Sequence, residues 1–107
     1  MSDSPLGTFE EQVLLAIVRT GDGAFGMNVR REIESVTGRD VAIGAVYATL
    51  DRLEAKRLVR SFRADREGQS RRMFEVTRSG ALALADSRAM RDRLWQGISV
   101  NWLLEQV

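Results

Sequence analysis

The chain of 107 residues has neither cysteine nor histidine, and only one of its 16 basic residues, Lys56, is a lysine. Without cysteine it can form no disulfide, thiolate zinc site or thiol nucleophile. Without histidine it lacks the usual general base at neutral pH and the commonest metal ligand. The sequence also has no phosphate-binding glycine loop and no organised pair of carboxylates. We therefore predict that the protein is not an enzyme and has no cofactor and no metal site.

Long hydrophobic runs are also missing from the chain. The longest aliphatic stretch, residues 13–18, is far too short to cross a bilayer. The N-terminal residues 1–5 are polar and do not have the pattern of a signal peptide. We therefore expect a cytoplasmic protein that does not contact membranes. The length predicts a single domain with a small core.

Three amphipathic helices are predicted in the first half of the chain, over about residues 8–20, 26–38 and 43–56. Thr8 and Glu11 fit a capping box at the start of the first helix, with Thr8 as the N-cap residue. The positions expected to face a shared core recur at helical spacing: Phe9, Val13, Ile17, Val29, Ile33, Val36, Val46, Leu50 and Leu53.

Two short strands are predicted after the third helix, over residues 58–62 and 71–76, with Gly68 as the turn residue of the loop 64–70. Thr77 is predicted to cap a last helix that begins at the next residue. Three helices followed by a hairpin are typical of a winged helix-turn-helix. We therefore expect a mostly α fold with a small antiparallel β-hairpin.

The last helix carries more apolar surface than a monomer usually exposes. Its apolar side chains recur at helical spacing and form the predicted dimer interface: Met90, Leu94, Trp95, Ile98 and Trp102. We divide the chain into a DNA-binding domain, residues 1–77, and a C-terminal dimerisation helix, residues 78–107, within the same compact unit. Gly97 and Ser99 are expected to bend or interrupt that helix.

Charge is concentrated in one segment, although the whole chain carries only +1. Residues 52–72 hold eight basic side chains against three acidic ones, a net charge of +5, so the remainder of the chain carries −4. A basic patch on an otherwise acidic protein creates a directional field that suits nucleic acid. Within the segment Arg52 is ambiguous, with Glu54, Glu11 or a second copy of the chain as alternative partners.

The exposed face of the third helix is nearly bare at its N-terminal end, where Ala42, Gly44, Ala45 and Ala48 lie. A helix pressed into a major groove needs short side chains where it meets the bases. The alternative is a partly exposed helix whose alanines have no role in binding. The basic hairpin that follows favours DNA binding.

Taken in order, these segments resemble the PadR family of transcriptional regulators, over about the first four fifths of the chain. The residues that carry the resemblance are Leu6-Gly7, Glu10 or Glu11, Val13-Leu14, Phe25-Gly26, Gly44-Ala45-Val46-Tyr47, Leu50, Arg52-Leu53-Glu54, Leu58-Val59, Gly68, Arg71-Arg72, Phe74, Val76-Thr77 and Gly80. No single segment is decisive, but the ordered set at these spacings is specific.

The chain departs from the family pattern at four positions. Ala42 stands where serine is common, Ala48 where proline is common, Arg57 where glycine is usual, and Met73 where an aromatic or basic residue is common. The first change removes a hydroxyl cap, which Asp40 is expected to replace. We expect these departures to alter affinity and sequence preference rather than the fold.

The resemblance implies a homodimer that binds a pseudo-palindromic operator in double-stranded DNA, by default as a repressor. The residues expected to bind DNA are Ala42, Gly44, Ala45, Tyr47, Ala48, Arg52, Arg63, Arg66, Gln69, Ser70, Arg71 and Arg72. Short PadR-like regulators often respond to an effector. A small planar aromatic compound bound at Trp95 is the corresponding hypothesis, and interface packing is the alternative for both tryptophans.

The main alternative function is a winged-helix module for protein–protein interaction without specific DNA binding. The run of arginines argues against it, since a protein-binding wing has no need of such a run. Individual side chains also have structural alternatives. Tyr47 could be a half-buried core tyrosine, and Asp65 and Glu67 could pair locally with arginines of the hairpin.

Overall fold

The computed structural model describes residues 5–107, so residues 1–4 of the polar N-terminal stretch 1–5 lie outside the described part of the chain. Its elements in chain order are α1 (Thr8–Thr20), α2 (Gly26–Thr37), α3 (Ile43–Ala55), β1 (Val59–Arg66), β2 (Gln69–Val76), α4 (Arg78–Trp95) and α5 (Val100–Glu105). A 3₁₀ turn at residues 21–23 joins α1 to α2. The predicted mostly helical fold with a small antiparallel hairpin is confirmed.

The core lies where α1, α2 and α3 meet one another and the base of the hairpin. Its fully or almost fully buried side chains are Val13, Leu14, Ala16, Ile17, Ala24, Val29, Ile33, Val46, Leu50, Leu53, Val59 and Phe74. Val36 was predicted to join them, but this prediction is wrong, because its side chain is 59% exposed. The last turn of α2 extends past its neighbours, and every residue from 35 to 40 is exposed.

The start of α1 differs by one residue from the predicted capping box. Gly7, not Thr8, is the N-cap residue, and its N–H donates to Glu10 Oε1 at 2.9 Å. Glycine has no side chain with which to complete the reciprocal bond, so only half of the box forms. Glu10 is buried and also accepts from Lys56 Nζ at 2.9 Å. The Gly7 N–H and then the Lys56 ammonium hold the pKa of Glu10 below its usual range.

The hairpin is longer and its turn tighter than predicted. β1 and β2 pair in register from Val59 opposite Val76 to Arg66 opposite Gln69. The predicted loop over residues 64–70 is therefore wrong, because only Glu67 and Gly68 lie outside the strands. Both have positive φ, 54° and 78°, which suits the two-residue turns that match the twist of a hairpin.

The C-terminal third of the chain begins as predicted, since the Thr77 hydroxyl accepts from Gly80 N at 3.1 Å and caps α4. The expected interruption is confirmed: α4 ends at Trp95, Gly97 has φ 80°, and the Ser99 hydroxyl caps α5. The predicted single helix is therefore two helices. No helix within residues 5–107 combines the length and apolar character needed to cross a membrane.

The molecule is elongated because α4 runs past the body. Its extents are 55 × 35 × 21 Å, and its radius of gyration is 16.0 Å. A compact domain of this length would have a radius of gyration of about 13 Å. Within α4 only Gly80 and Ser87, both among its first ten residues, are buried, and every residue from 88 onward is exposed.

Candidate nucleic-acid interface

One side of α3 is held in the core, and the other is open to solvent. Val46, Leu50 and Leu53 are fully buried. The predicted contact residues at the start of the helix and along its open side are all exposed: Ala42, Gly44, Ala45, Tyr47, Ala48 and Arg52. The helical period places the two sets on opposite sides. A helix surface with few side-chain atoms is therefore presented to solvent on a rigid support.

The start of α3 lacks the cap that was expected from Asp40. Ala42 is the N-cap residue, and no side chain caps the helix. The prediction for Asp40 is wrong. The acidic group that binds the backbone before α3 is Glu34, whose Oε2 accepts from Val41 N at 2.8 Å. That backbone bond holds the pKa of Glu34 below its usual range and fixes the loop that leads into α3.

Tyr47 joins α3 to the start of α2. Its ring lies against Gly26, where an added Cβ would overlap the ring and the hydroxyl. A side chain at this position would therefore force the Tyr47 ring to move. Tyr47 is 37% exposed, and its hydroxyl makes no hydrogen bond within residues 5–107. The ring and its hydroxyl pack against Gly26, and the hydroxyl keeps its capacity to donate or accept a hydrogen bond.

The register of the hairpin divides its side chains between two faces, since residues directly opposite each other point the same way. Ser61, Arg63, Arg72 and Phe74 share the face that contacts α3. The other face includes the pairs Phe62–Met73, Ala64–Arg71 and Arg66–Gln69. The predicted wing arginines are therefore not equivalent.

Arg72 is engaged by α3. Its Nη2 lies 2.6 Å from Glu54 Oε1, its Nη1 lies 3.1 Å from Asp51 Oδ1, and its guanidinium stacks over Phe74 at 4.8 Å. Glu54 also accepts from Ser61, from N at 3.1 Å and from Oγ at 2.5 Å. The hydrogen bond from the Ser61 hydroxyl, followed by that from Arg72, holds the pKa of Glu54 below its usual range.

Arg71 is engaged on the opposite face. Its guanidinium lies 4.1 Å from the centre of the Phe25 ring, and its Nη2 donates to Gln69 Oε1 at 3.2 Å. Its Nε is buried without a hydrogen-bond partner in the described part of the chain. Phe25 also pairs with Met73 in an isolated β-bridge. The two neighbouring arginines thus both contact the protein's own fold.

The tip of the hairpin keeps its predicted polar character. Arg63, Arg66, Gln69 and Ser70 are exposed. Neither of these arginines forms an ion pair within residues 5–107, and Asp65 and Glu67 form none there either. The alternative of local pairing by these two acidic residues is wrong. Arg60, outside the predicted contact set, pairs with Glu75 across the hairpin.

Arg52 and Glu54 both have partners that sequence reasoning did not assign to them. Arg52 Nη2 donates to the hydroxyl of Thr49 at 3.1 Å, so its expected pairing with Glu54 or Glu11 is wrong within one chain. Glu11 instead accepts two bonds from Arg91 Nη1, at 2.7 and 2.6 Å. In the sequence, only one feature indicates that Glu54 binds the hairpin. It lies one turn after Asp51, on the helix that directly precedes the two strands.

The predicted dimer residues lie together on the exposed C-terminal part of the chain. Trp95 and Trp102 are 50% and 53% exposed, and Met90, Leu94 and Ile98 are also largely open. Because α4 ends at Trp95, the spacing of seven residues between the tryptophans does not lie on one continuous helix. Trp95 borders an open cavity of about 440 Å³ lined also by Asp92, Arg93 and Gln96.

Three helices, a hairpin wing and an open face on the third helix define a winged helix-turn-helix protein. The family model for the transcriptional regulator PadR-like family matches residues 14–86, more than half of the chain. The chain therefore belongs to the PadR-like family of transcriptional regulators. Membership of a family of regulators supports the expectation that it is not an enzyme. No curated protein matches the sequence.

Solved structures with the same fold include RosR of H. salinarum, at 23% identity and a TM-score of 0.71, covering 88% of this chain and 81% of that one. A PadR family transcriptional regulator from Eggerthella lenta has 23% identity and a TM-score of 0.66, with 89% and 82% covered. A winged-helix DNA-binding protein from STIV has 16% identity and a TM-score of 0.71, with 88% and 98% covered. At these identities the likeness establishes the fold.

Proposed function

We propose that the protein is a sequence-specific DNA-binding repressor that binds a pseudo-palindromic operator as a homodimer. The observation that carries this proposal is the juxtaposition of two exposed surfaces. The bare side of α3 lies beside a hairpin whose tip carries Arg63 and Arg66 without ion-pair partners in the described part of the chain. A helix for the major groove and a cationic strand pair for the backbone are the two parts of winged-helix recognition.

In this proposal the start of α3 approaches the base edges. Ala42, Gly44, Ala45 and Ala48 let the helix sit deep in the groove because they present few side-chain atoms. The Tyr47 hydroxyl contacts a phosphate. This contact is favoured because the ring is held against Gly26 and the hydroxyl makes no hydrogen bond within residues 5–107. Arg52 contacts the backbone further along the helix.

The wing contacts the phosphates beside the groove. Arg63, Arg66, Gln69 and Ser70 supply these contacts from the hairpin tip. Arg71 and Arg72 contribute positive field near the same backbone, although their guanidinium groups are already held by Phe25, Glu54 and Asp51. They are the weakest members of the proposed contact set.

The second copy of the chain is proposed to cover the apolar residues of α4 and α5. Met90, Leu94, Trp95, Ile98 and Trp102 are too exposed and too closely grouped for a stable monomer surface. A two-fold axis through this contact would place the two α3 helices in successive major grooves, about 34 Å apart.

We also propose that a small-molecule effector binds at the same interface and releases the protein from its operator. Trp95 borders a cavity that is wide open to solvent in one protomer, so a planar aromatic compound would need the second copy to enclose it. Quenching of tryptophan fluorescence by a panel of flat aromatic compounds tests this. Absence of quenching in wild type, or equal quenching of Trp95→Phe, would argue against this site.

The test of DNA binding is fluorescence anisotropy with the gene's own upstream DNA and a scrambled duplex, at two salt concentrations. We expect tighter binding to the upstream DNA and a steep salt slope for both duplexes. Ala45→Trp should abolish binding by blocking the groove. Ala55→Trp, about 15 Å further along the same helix, is the matched control. Absence of binding at low salt would favour the protein-interaction module instead.

A further inference from the structure

We propose that Glu54 is a positioning residue for DNA binding, which fixes the wing tip, residues 63–70, relative to α3. This rests on the proposed function, since it assigns the geometry of the same interface. Glu54 lies in the last turn of α3, at the point where the chain leaves the helix and enters the hairpin. Its carboxylate binds both strands of the hairpin, whereas Asp51 on the same helix binds Arg72 on β2.

A single carboxylate makes three hydrogen bonds to two different strands. Ser61 on β1 donates both its backbone N–H and its hydroxyl, and Arg72 on β2 donates from Nη2. Because bonds to both strands end on one side chain, rotation of the hairpin relative to α3 would break at least one of them. Hydrogen bonds to an ionised group are stronger than neutral ones, so the charge of Glu54 matters as well as its shape.

The same charge also removes a repulsion within the wing. Arg63 and Arg72 lie directly opposite each other in the register, and like charges at such positions destabilise a hairpin. Glu54 and Asp51 draw the Arg72 guanidinium toward α3, where it stacks over Phe74. Arg63 is thereby left as the exposed cation on the face of the wing that adjoins α3.

The base of the hairpin is held independently of Glu54, so its loss should loosen the wing without unfolding the protein. Val59, Met73 and Phe74 are buried, and Phe74 N donates to the Ala24 carbonyl oxygen at 2.8 Å. Contacts of Arg71 with Phe25 hold only the opposite face. Glu54→Gln keeps an acceptor for Ser61 but loses the closer of the two carboxylate charges that bind Arg72, leaving Asp51.

The first measurement is independent of DNA. The chain has no cysteine, so Ala55→Cys and Asp65→Cys provide unique spin-label positions on α3 and on the wing tip. Labelled protein is mixed with excess unlabelled protein, so that only distances within one chain are recorded by double electron–electron resonance. We expect one narrow distance distribution in the parent and a broadened one in Glu54→Gln and Glu54→Ala.

The matched control is Glu75→Gln, which removes an ion pair between Arg60 and Glu75 inside the hairpin and no contact with α3. It should leave the distribution narrow. A narrow distribution in both Glu54 variants would overturn the proposal. Thermal unfolding of each variant confirms that a broadened distribution comes from a folded protein.

The second measurement is the salt dependence of operator binding. Glu54→Gln should lower the salt slope by about one to two units, since the wing's phosphate contacts are lost. Adding Arg63→Ala to that variant should lower it no further, because the contact is already gone. A broadened wing with an unchanged slope would overturn the positioning role. Failure of the parent to bind any DNA would reject the proposed function, while the distance measurement still decides whether Glu54 holds the wing.

Discussion

The winged body, residues 8–87, and the C-terminal segment, residues 88–107, differ in how many of their side chains are buried or paired within one chain. In the body, a core of apolar side chains is buried, and carboxylates such as Glu10 and Glu54 bind partners on other elements. In the segment every residue is exposed, and Arg91 alone of its residues forms an ion pair with the body within residues 5–107. The body has a buried core within one chain, whereas the segment leaves its apolar side chains exposed, as the proposed dimer requires.

Within the wing, the arginines also divide into those that have partners in the fold and those that have none in the described part of the chain. Arg71 and Arg72, both on β2, are held by aromatic rings and carboxylates that the fold brings to them. Arg63 and Arg66, both on β1, form no ion pair within residues 5–107, although Arg63 lies directly opposite Arg72. A cation that is already paired has less to gain from a phosphate, so unequal contributions are expected from a run of similar residues.

The largest expected effect comes from a charge placed in the exposed segment. Trp95→Glu should convert a dimer to a monomer of 12.0 kDa in sedimentation velocity, because a carboxylate would be buried in an apolar contact. Affinity for the full operator should fall by about 100-fold or more, since the two half-sites would no longer be bound by one molecule. Val36→Glu, at an exposed apolar position on α2, is the control and should remain dimeric. A dimeric Trp95→Glu would place the interface elsewhere.

A smaller effect is expected from the two tip arginines, and it should be unequal. Arg63→Ala should lower the salt slope of operator binding by about one unit, because it removes one phosphate contact on the face adjoining α3. Arg66 lies on the other face, so Arg66→Ala should lower the slope by less. Salt titrations of both variants by anisotropy make the comparison. A larger effect from Arg66 would mean that the wing meets the backbone with its opposite face.

The smallest effect is expected from pH, and it tests the body alone. The pKa values of Glu10, Glu34 and Glu54 are lowered by hydrogen bonds in the folded state, so the unfolded chain binds protons more tightly than the folded one. The stability from these groups is therefore fully present above about pH 5 and is lost as the pH falls below about 4.3. Between pH 5.5 and 8 no histidine or cysteine titrates, and stability should be nearly flat.

Denaturant unfolding from pH 3 to pH 8 measures this dependence. Glu10→Gln should reduce the loss of stability on the acid side, because it removes one carboxylate whose pKa is lowered. Glu105→Gln, at the exposed end of α5, should leave the acid-side slope unchanged. An acid-side slope in Glu10→Gln equal to that of the parent would mean that Glu10 is not held by Gly7 and Lys56 in solution.

Much of the fold could be predicted because its signals are local. The spacing of Val46, Leu50 and Leu53 determines the buried side of α3, and the hydroxyl of Thr77 caps the helix that follows it directly. Val36 fits the same periodicity, but a pattern within one helix does not reveal where its neighbours end. The length of the hairpin was missed because Glu67 adopts a positive φ that its residue type rarely favours.

The candidate site was less predictable, because its distinctions depend on residues far apart in the chain. Arg71 and Arg63 look alike in sequence, but Phe25 lies beside only the first of them. Arg72 meets Glu54 across 18 positions, and Glu11 meets Arg91 across 80. Charge counting locates the basic segment, whereas only the fold determines which of its cations are already paired.

The ion pair between Glu11 and Arg91 ties α4 to α1 about 20 Å along α4, close to the far end of that helix. α4 has 18 residues and spans about 27 Å, so without this tie a rotation of about 10° at its start would move its far end by about 5 Å, more than one base-pair step. In the proposed dimer, the operator spacing would therefore depend on the side chains that hold α4 against α1. Changes there could retune the distance between half-sites while the recognition helix keeps the same bases.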